Sequence, residues 1–383
     1  MAFLAPFGEH RVAEMEPAPT TEDDPRRVAV IPGDDASPEA VHAALDVVRA
    51  LDVPVEWVVL PDGDELARDR RRSESEQLIR SAIDACDTVL FGATSGKTGG
   101  LAYLRWVKGA YANVRPVKWR PGLPSPLRHP EGIDYVIVRE NLEDLYCGLE
   151  GDLGALLGSG LDTRPWGGLL DVRYGPATAS EGRYAVKVVT RDNTERAAHF
   201  ACRLAVERKR AGHPGRVTVA VKWNVLPRSD GFFREVAAGV VAQYPELEFE
   251  DYLADDFARR LVMSPHDLDV VLLPNLYGDI LSDEGAGTVG GLGVAPSGCY
   301  GDDVAYFEPV HGTAPDIAGR DQVNPTATLL SAAMLLSWLG LGDEAARLEA
   351  AVDAAIAAGD RLTPDVGGGG STSEFASAVR ERL

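Results

Sequence analysis

The chain has 383 residues, of which 45% are hydrophobic, enough to bury a large core in two domains or one large one. Acidic residues outnumber basic ones, 59 Asp plus Glu against 38 Lys plus Arg, so the net field repels nucleic acid and anionic membrane surfaces and neither is an expected partner. An anionic small molecule suits such a chain only where arginines gather locally.

The first 26 residues, rich in Pro and acids and without a basic start followed by an apolar core, predict a disordered tail on a cytoplasmic protein. No later stretch is apolar enough to cross a bilayer. From Arg27 the pattern becomes regular. RVAVI reads as a buried strand, and Ser37-Pro38-Glu39 supplies an N-cap, a first-turn proline and a first-turn acid for a helix whose apolar positions are Val41, Ala44, Leu45 and Val48. VEWVVL at 55–60 is the next strand, and RDRRRSESEQ is the solvated face of a following helix. Further strands are expected at 88–91, 133–138, 216–221 and 269–273, with a helix over Thr194–Arg208. This alternation argues for a mostly parallel sheet covered by helices. Residues 149–183, rich in Gly and without helical period, suggest an irregular excursion or a β-arm; two helices, 326–339 and 343–357, precede GGGG at 367–370 and a short final helix. The four cysteines, Cys86, Cys147, Cys202 and Cys299, are scattered, with no CxxC pair, and read as free thiols.

Two sets of residues carry chemistry. In NLYGDILSDEGAG at 275–287, Asp279 and Asp283 stand four apart, so on a helix their carboxylates share a face; with a third acid from elsewhere they would make a hard-oxygen site for magnesium or manganese. The plain alternative is a helix start whose acids oppose its dipole. Arg105, Arg115 and Arg139 each lie among apolar residues instead of in a charged run, and inward guanidinium groups pair bidentately with carboxylates, as a di- or tricarboxylate requires. Singly, such an arginine is more often a surface residue or an ion-pair partner.

The blocks IPGDDASPE, YANVRPVK, VIVRENLEDLY, VKWNVLPRSDGFF, NLYGDILSD, GGLGVAPSG and EPVHGTAPDIAGRDQVNPTATLLSAAMLL follow one another in the order of a known family. Over nearly all of residues 27–383 the chain resembles the β-decarboxylating isocitrate, 3-isopropylmalate, homoisocitrate and tartrate dehydrogenases. The resemblance implies an isopropylmalate dehydrogenase-like three-layer α/β/α fold with a parallel or mixed sheet and a cleft between two domains. It implies a larger cofactor domain from 27–110 plus 291–383. Residues 111–290 would form a smaller substrate, metal and dimerisation domain with an arm at about 149–183. By the same resemblance Arg105, Arg115 and Arg139 hold the malate carboxylates, Tyr146 is the late acid, Lys222 serves at the hydroxyl, and Asp255, Asp279 and Asp283 are the metal carboxylates. In the family the lysine and the third aspartate come from the second subunit, so a homodimer with shared sites is implied.

No GxGxxG follows the first strand, so the cofactor site is not the Rossmann type. The resemblance places NAD against the HGTAPDIAG loop, with His311 near adenine, Asp316 on the ribose hydroxyls and Asn324 nearby, and also assigns Asn224, Glu308 and Gly312 to the cofactor. An aspartate at that place repels a 2′-phosphate, which favours NAD over NADP. The implied reaction is oxidative decarboxylation of a 3-substituted (R)-malate to a 2-oxo acid and carbon dioxide. Alternatives are a D-malate or tartrate dehydrogenase and a non-catalytic regulatory relative.

Departures from the family pattern concern the malate 3-substituent. The segment GATSGKTGGLAYLR has Gly99 and Leu101 where isocitrate enzymes carry Ser and Asn. Ala102 stands where homoisocitrate enzymes place an arginine, and Thr98 where isopropylmalate enzymes place an acid, leaving Leu101 as the match. Overall wording is closest to the homoisocitrate enzymes, yet a distal carboxylate would lack its partner. Lys97 is within reach of a distal anion, although solvation is the simpler expectation. Trp223 replaces the usual alanine after the lysine and is large enough to reshape the pocket, and Asp35 replaces a glycine of the opening turn. A specialised biosynthetic substrate is one consequence.

Overall fold

The computed structural model describes residues 25–162 and 181–383. Its strands are β1 (Arg26–Ile31), β2 (Val55–Val59), β3 (Thr88–Phe91), β4 (Ala112–Lys118), β5 (Asp134–Glu140), β6 (Glu150–Asp152), β7 (Arg183–Ala185), β8 (Arg216–Val221), β9 (Glu248–Leu253), β10 (Val270–Leu273), β11 (Pro296–Tyr300) and β12 (Ala305–Pro309). Its helices are α1 (Ser37–Arg49), α2 (Gly63–Asp69), α3 (Arg72–Asp84), α4 (Leu153–Gly158), α5 (Arg191–Arg210), α6 (Asp230–Val241), α7 (Ala254–Met263), α8 (Asn275–Thr288), α9 (Thr326–Trp338), α10 (Gly342–Ala358) and α11 (Thr372–Arg380). The expected tail lies outside the described residues, apart from its last two positions. At the two ends of the 149–183 segment β6 and β7 pair antiparallel, β7 continuing to Ala185, and the part from 163 to 180 lies outside the described residues. None of the described helices is long and apolar enough to cross a membrane.

Ten strands form one sheet in the order β2-β1-β3-β12-β11-β4-β5-β10-β8-β9. Both flanks are parallel, as the βα alternation predicts, but the centre is not: β11 runs antiparallel to β12 and to β4, and β4 antiparallel to β5. The sheet is therefore mixed. Alternate residues of a strand face opposite sides, so Val28 and Val30 join one hydrophobic cluster while Ala29 and Ile31 join another. One face carries a single continuous core covered by α1, α5, α6, α9, α10 and α11. The other is divided, with one cluster around β1, β3, α2 and α3 and another around β5, β10, α7 and α8.

Between those two clusters the same face is polar. Register sets Cys299 opposite Asn113, and Asn113 opposite Arg139, with Arg115 two residues further along β4. A break in apolar packing at the antiparallel centre is thus where charged side chains can be buried with partners.

At the start of α1, Ser37 is the first helical residue and not the cap; its hydroxyl instead accepts the Ala93 N–H at 2.7 Å, tying the helix to the end of β3. Pro38 stands in the first turn as expected.

Candidate active site

α8 packs across β4 and β5 because two of its residues have no side chain. A Cβ at Gly278 would lie 2.6 Å from Cγ of Arg139, and one at Gly285 would lie 2.7 Å from the Tyr135 hydroxyl. This close approach brings Asp279 and Asp283 down onto the polar strip.

All three sequence-selected arginines are buried there. Arg139 donates through Nη1 to Asp279 and through Nε to Asn275 Oδ1 at 2.8 Å. Arg115 donates to Asp283 Oδ1 at 3.0 Å and Ser282 Oγ at 2.7 Å, and its Nη2 lies 3.3 Å from Asp279 Oδ1. Arg105 sits in a π-helical turn, Tyr103–Val107, closed by the Lys108 N–H donating to the Tyr103 carbonyl at 2.9 Å. Such turns recur at functional sites because they re-aim a side chain. Tyr146 donates to Asp279 Oδ2, and the Arg139 guanidinium lies 4.7 Å from the centre of its ring.

Electrostatics show the convergence. Burial works against ionisation of Asp279, but the charges of Arg139, Arg115 and Arg105 and the Tyr146 hydrogen bond together hold its carboxyl below the usual range. Asp283 is pushed up, chiefly by burial, despite Arg115. Burial also raises Glu308, with all three arginines opposing it. Arg139 is pushed down by burial and by repulsion from Arg115. Among the described residues, Arg105 Nε and Arg139 Nη2 are buried without a hydrogen-bond partner. Two unpaired guanidinium donors facing one strip are what a bound carboxylate would satisfy.

Lys222 and Asp255 form a second, separate group. Lys222 follows β8 directly, and its ammonium pairs with Asp255 at the start of α7, whose side chain is 67% exposed. The turn after Lys222 carries the exposed Val225 and Leu226, while Val262 and Met263 of α7 and Ile280 of α8 are exposed apolar residues too. Among the described residues no three His, Cys, Asp or Glu side chains of one chain converge as metal ligands. Asp279 and Asp283 thus offer a hard cation two carboxylates on one helical face, and the third donor is not at hand within the chain. Trp223, half-buried, packs on the continuous core with the Arg234 guanidinium 4.7 Å from the centre of its ring.

The sequence pattern of the isocitrate/isopropylmalate dehydrogenases matches residues 27–379. The chain belongs to that family. It is 42% identical over 360 residues to the 3-isopropylmalate/3-methylmalate dehydrogenase of Methanocaldococcus jannaschii, covering 93% of this chain and 98% of that one. It is 40% identical to the isocitrate/homoisocitrate dehydrogenase of Thermus thermophilus, at 93% and 98% coverage. Among solved structures, an isocitrate dehydrogenase from Methylococcus capsulatus superposes with a TM-score of 0.78 at 32% identity, over 93% of this chain and 99% of that one. The isopropylmalate dehydrogenase-like α/β fold expected from sequence is therefore the one observed.

In this family member the 311–321 loop is docked on the opening turn: Glu39 of α1 accepts the Gly319 N–H at 2.5 Å and the Asp321 N–H at 2.7 Å, and the Ala36 N–H donates to the Thr313 carbonyl at 3.0 Å. The first-turn acid is thus spent on a loop. His311 is half-buried, its Nδ1 lies 2.9 Å from the Gly312 carbonyl oxygen, and its Nε2 is buried without a partner among the described residues. Gly312 and Asp316 are exposed, whereas Asn324 is buried and donates to Asp365 Oδ2 at 3.0 Å. Asn224 is exposed beside Lys222, and Glu308 lies on β12 near the arginines. An unpaired imidazole nitrogen beside an open loop with an exposed carboxylate fits the adenosine end of a dinucleotide.

The segment before Arg105 is held by its own contacts. Thr98 is fully buried and its hydroxyl donates to Asp34, so it anchors the loop instead of facing a substrate. Asp34, itself fully buried, also accepts the Thr94 hydroxyl at 2.8 Å and the Ser95 and Lys97 N–H groups at 2.8 and 3.2 Å. Lys97 is exposed, as the simpler expectation had it, and its ammonium bridges Asp35 at 2.6 Å and Asp64 at 2.9 Å. Asp35 holds a left-handed φ of 54°, the conformation its glycine counterpart would take freely, and the Lys97 hydrogen bond keeps its carboxyl below the ordinary range. Leu101 packs half-buried on the cluster around β1 and β3, and Ala102 is exposed.

Proposed function

We propose that the chain is an NAD- and divalent-metal-dependent dehydrogenase that oxidises a 3-substituted (R)-malate and releases its 3-carboxylate as carbon dioxide. The observation that carries this reading is the set of three buried arginines around Asp279 with two guanidinium donors unpaired. Arg105, Arg115 and Arg139 would hold the substrate carboxylates. Lys222 would take the hydroxyl proton as hydride leaves the same carbon, and the resulting 2-oxo-3-carboxylate then loses carbon dioxide by cleavage of its C3–carboxylate bond. Tyr146 would supply the proton that ends on that carbon.

The Asp279 and Asp283 carboxylates, with Asp255 of a second copy, suit magnesium or manganese, which would polarise the substrate oxygens. NAD, the hydride acceptor, would rest on His311, Gly312, Asp316 and Asn324, with Asn224 and Glu308 toward its reactive end. A homodimer with shared sites is supported by the exposed Lys222–Asp255 pair and by the apolar residues that surround it on α7, α8 and the 223–226 turn. We place the enzyme in the cytoplasm.

For the 3-substituent, the tethered Lys97, the uncharged Ala102 and the apolar Leu101 favour a substituent without negative charge, hence a 3-alkylmalate over homoisocitrate. Spectrophotometric NADH or NADPH formation across 3-isopropylmalate, 3-methylmalate, homoisocitrate, isocitrate, D-malate and tartrate, each with NAD and NADP and magnesium or manganese, tests the assignment. Turnover of a 3-alkylmalate with NAD is expected; no turnover of any of them would favour a regulatory relative.

A further inference from the structure

Lys187, between β7 and α5, takes no part in the chemistry above, yet its side chain is only 14% exposed. Its ammonium lies 2.6 Å from Asp230 Oδ1 and 3.5 Å from Asp144 Oδ1, and 4.6 Å from the centre of the Tyr277 ring. Both carboxylates are buried, Asp230 completely. Neither of these two oxygens has a well-oriented hydrogen-bond donor among the described residues; the Tyr277 hydroxyl also acts on Asp230, and Lys187 is the cation that lies against both acids. A buried carboxylate without such a cation is costly.

The other oxygen of each carboxylate holds the backbone of a segment that bears a site residue. Asp230 Oδ2 accepts the N–H of Lys222 at 2.7 Å. Asp144 Oδ2 accepts the N–H of Leu276 at 2.9 Å, in the first turn of the helix that carries Asp279 and Asp283. Asp144 also stands two residues before Tyr146, with a φ of 66° that a non-glycine residue adopts only when its surroundings impose it. Its N–H donates to the Val188 carbonyl at 2.9 Å, so the segment bearing Lys187 pins this backbone as well.

We propose that Lys187 is a positioning residue: by clamping Asp144 to Asp230 it sets the Lys222 turn, the Tyr146 segment and the start of α8 in one fixed register. The chemical part rests on the reaction proposed above; the mechanical part does not. A clamp between two otherwise separate groups explains why a cation is largely buried between two acids, while a merely space-filling residue there would be apolar.

Hydrogen exchange of the full-length protein reads the clamp directly. In Lys187→Met the amides of Leu276 and Lys222 should exchange together at least about tenfold faster, with β1 and β3 unchanged, and Lys187→Arg should restore most of the protection. Should the single variant fail to fold, Lys187→Met with Asp144→Asn keeps the cluster's net charge and is measured in its place. On the substrate that the parent turns over best, kcat should drop by about tenfold to a hundredfold, as a misplacement near 1 Å costs, with KM within about threefold. Faster exchange confined to 185–190, or a folded variant with kcat within about twofold of the parent, would overturn the proposal. If the parent itself turned over no malate, the reaction would be at fault, and exchange alone would still decide the clamp.

Discussion

The two groups of site residues differ in how much of their environment one chain supplies. Around Asp279 everything is internal: Arg115 and Arg139 are buried, α8 is seated by Gly278, and Tyr146 closes the cluster. Lys222 and Asp255, by contrast, meet at the protein surface beside exposed Val225, Leu226, Val262, Met263 and Ile280. In the homodimer proposed above, the preorganised cluster of one copy would meet the ion pair on the apolar face of the other.

Removing one group from each half should break the contrast most sharply. Asp279→Asn and Lys222→Ala should each lower turnover by on the order of a hundredfold or more, read as NADH formation with a 3-alkylmalate. Their stabilities should diverge: Lys222→Ala leaves Tm nearly unchanged, because an exposed pair contributes little. Asp279→Asn costs about 1–3 kcal/mol, because buried guanidinium groups lose their anion. Equal Tm values would show that the Asp279 cluster is no more preorganised than the surface pair.

Ile280→Asp addresses the apolar face itself. It should yield monomers in sedimentation and take activity with it, while the Asp279 cluster stays folded by circular dichroism. A monomeric variant with full activity would refute shared sites. A smaller effect is expected at the substituent end: Ala102→Arg should shift kcat/KM toward homoisocitrate over 3-isopropylmalate by about tenfold to a hundredfold, by giving a distal carboxylate its partner.

The remaining effect concerns pH and stability, not turnover. Glu140 is buried beside Arg139, and burial raises its carboxyl from 4.5 to about 7 although the Leu142 and Glu143 N–H groups oppose the shift. The folded state therefore binds this proton more tightly than the unfolded chain. The resulting stability is fully present below pH 4.5 and is lost as pH rises through about 7. Glu140→Gln should flatten that decline, by on the order of 2–3 kcal/mol between those limits in denaturant unfolding. An unaltered slope would show that Glu140 ionises normally.

The parallel flanks of the sheet were legible because β1, β3, β8 and β10 are buried on both faces and read as apolar runs. β4, β11 and β12 were not, since ANVRPVK and PSGCY contain the prolines, glycine and polar residues that strands usually avoid. Tertiary context overrides that preference here, because the site needs Asn113 and Arg115 on a central strand. The same limit applied to Asp34, Asp144, Lys187 and Asp230: a buried acid or lysine far along the chain from its partner has no periodicity to reveal it. The only hint was that Asp34 lies in the IPGDD turn.

What the linear order of residues determined on its own was membership of the family, carried by the ordered blocks that resemble it, and the apolar strands of the sheet's flanks, because motif order and apolar period are local properties. Which side chains are committed to one another was decided only in three dimensions. Lys97 is tied to Asp35 and Asp64 at the surface, Thr98 is turned inward to Asp34, and Lys187 joins two buried acids, because groups separated by tens of residues pair only where the folded backbone brings them within a few ångströms.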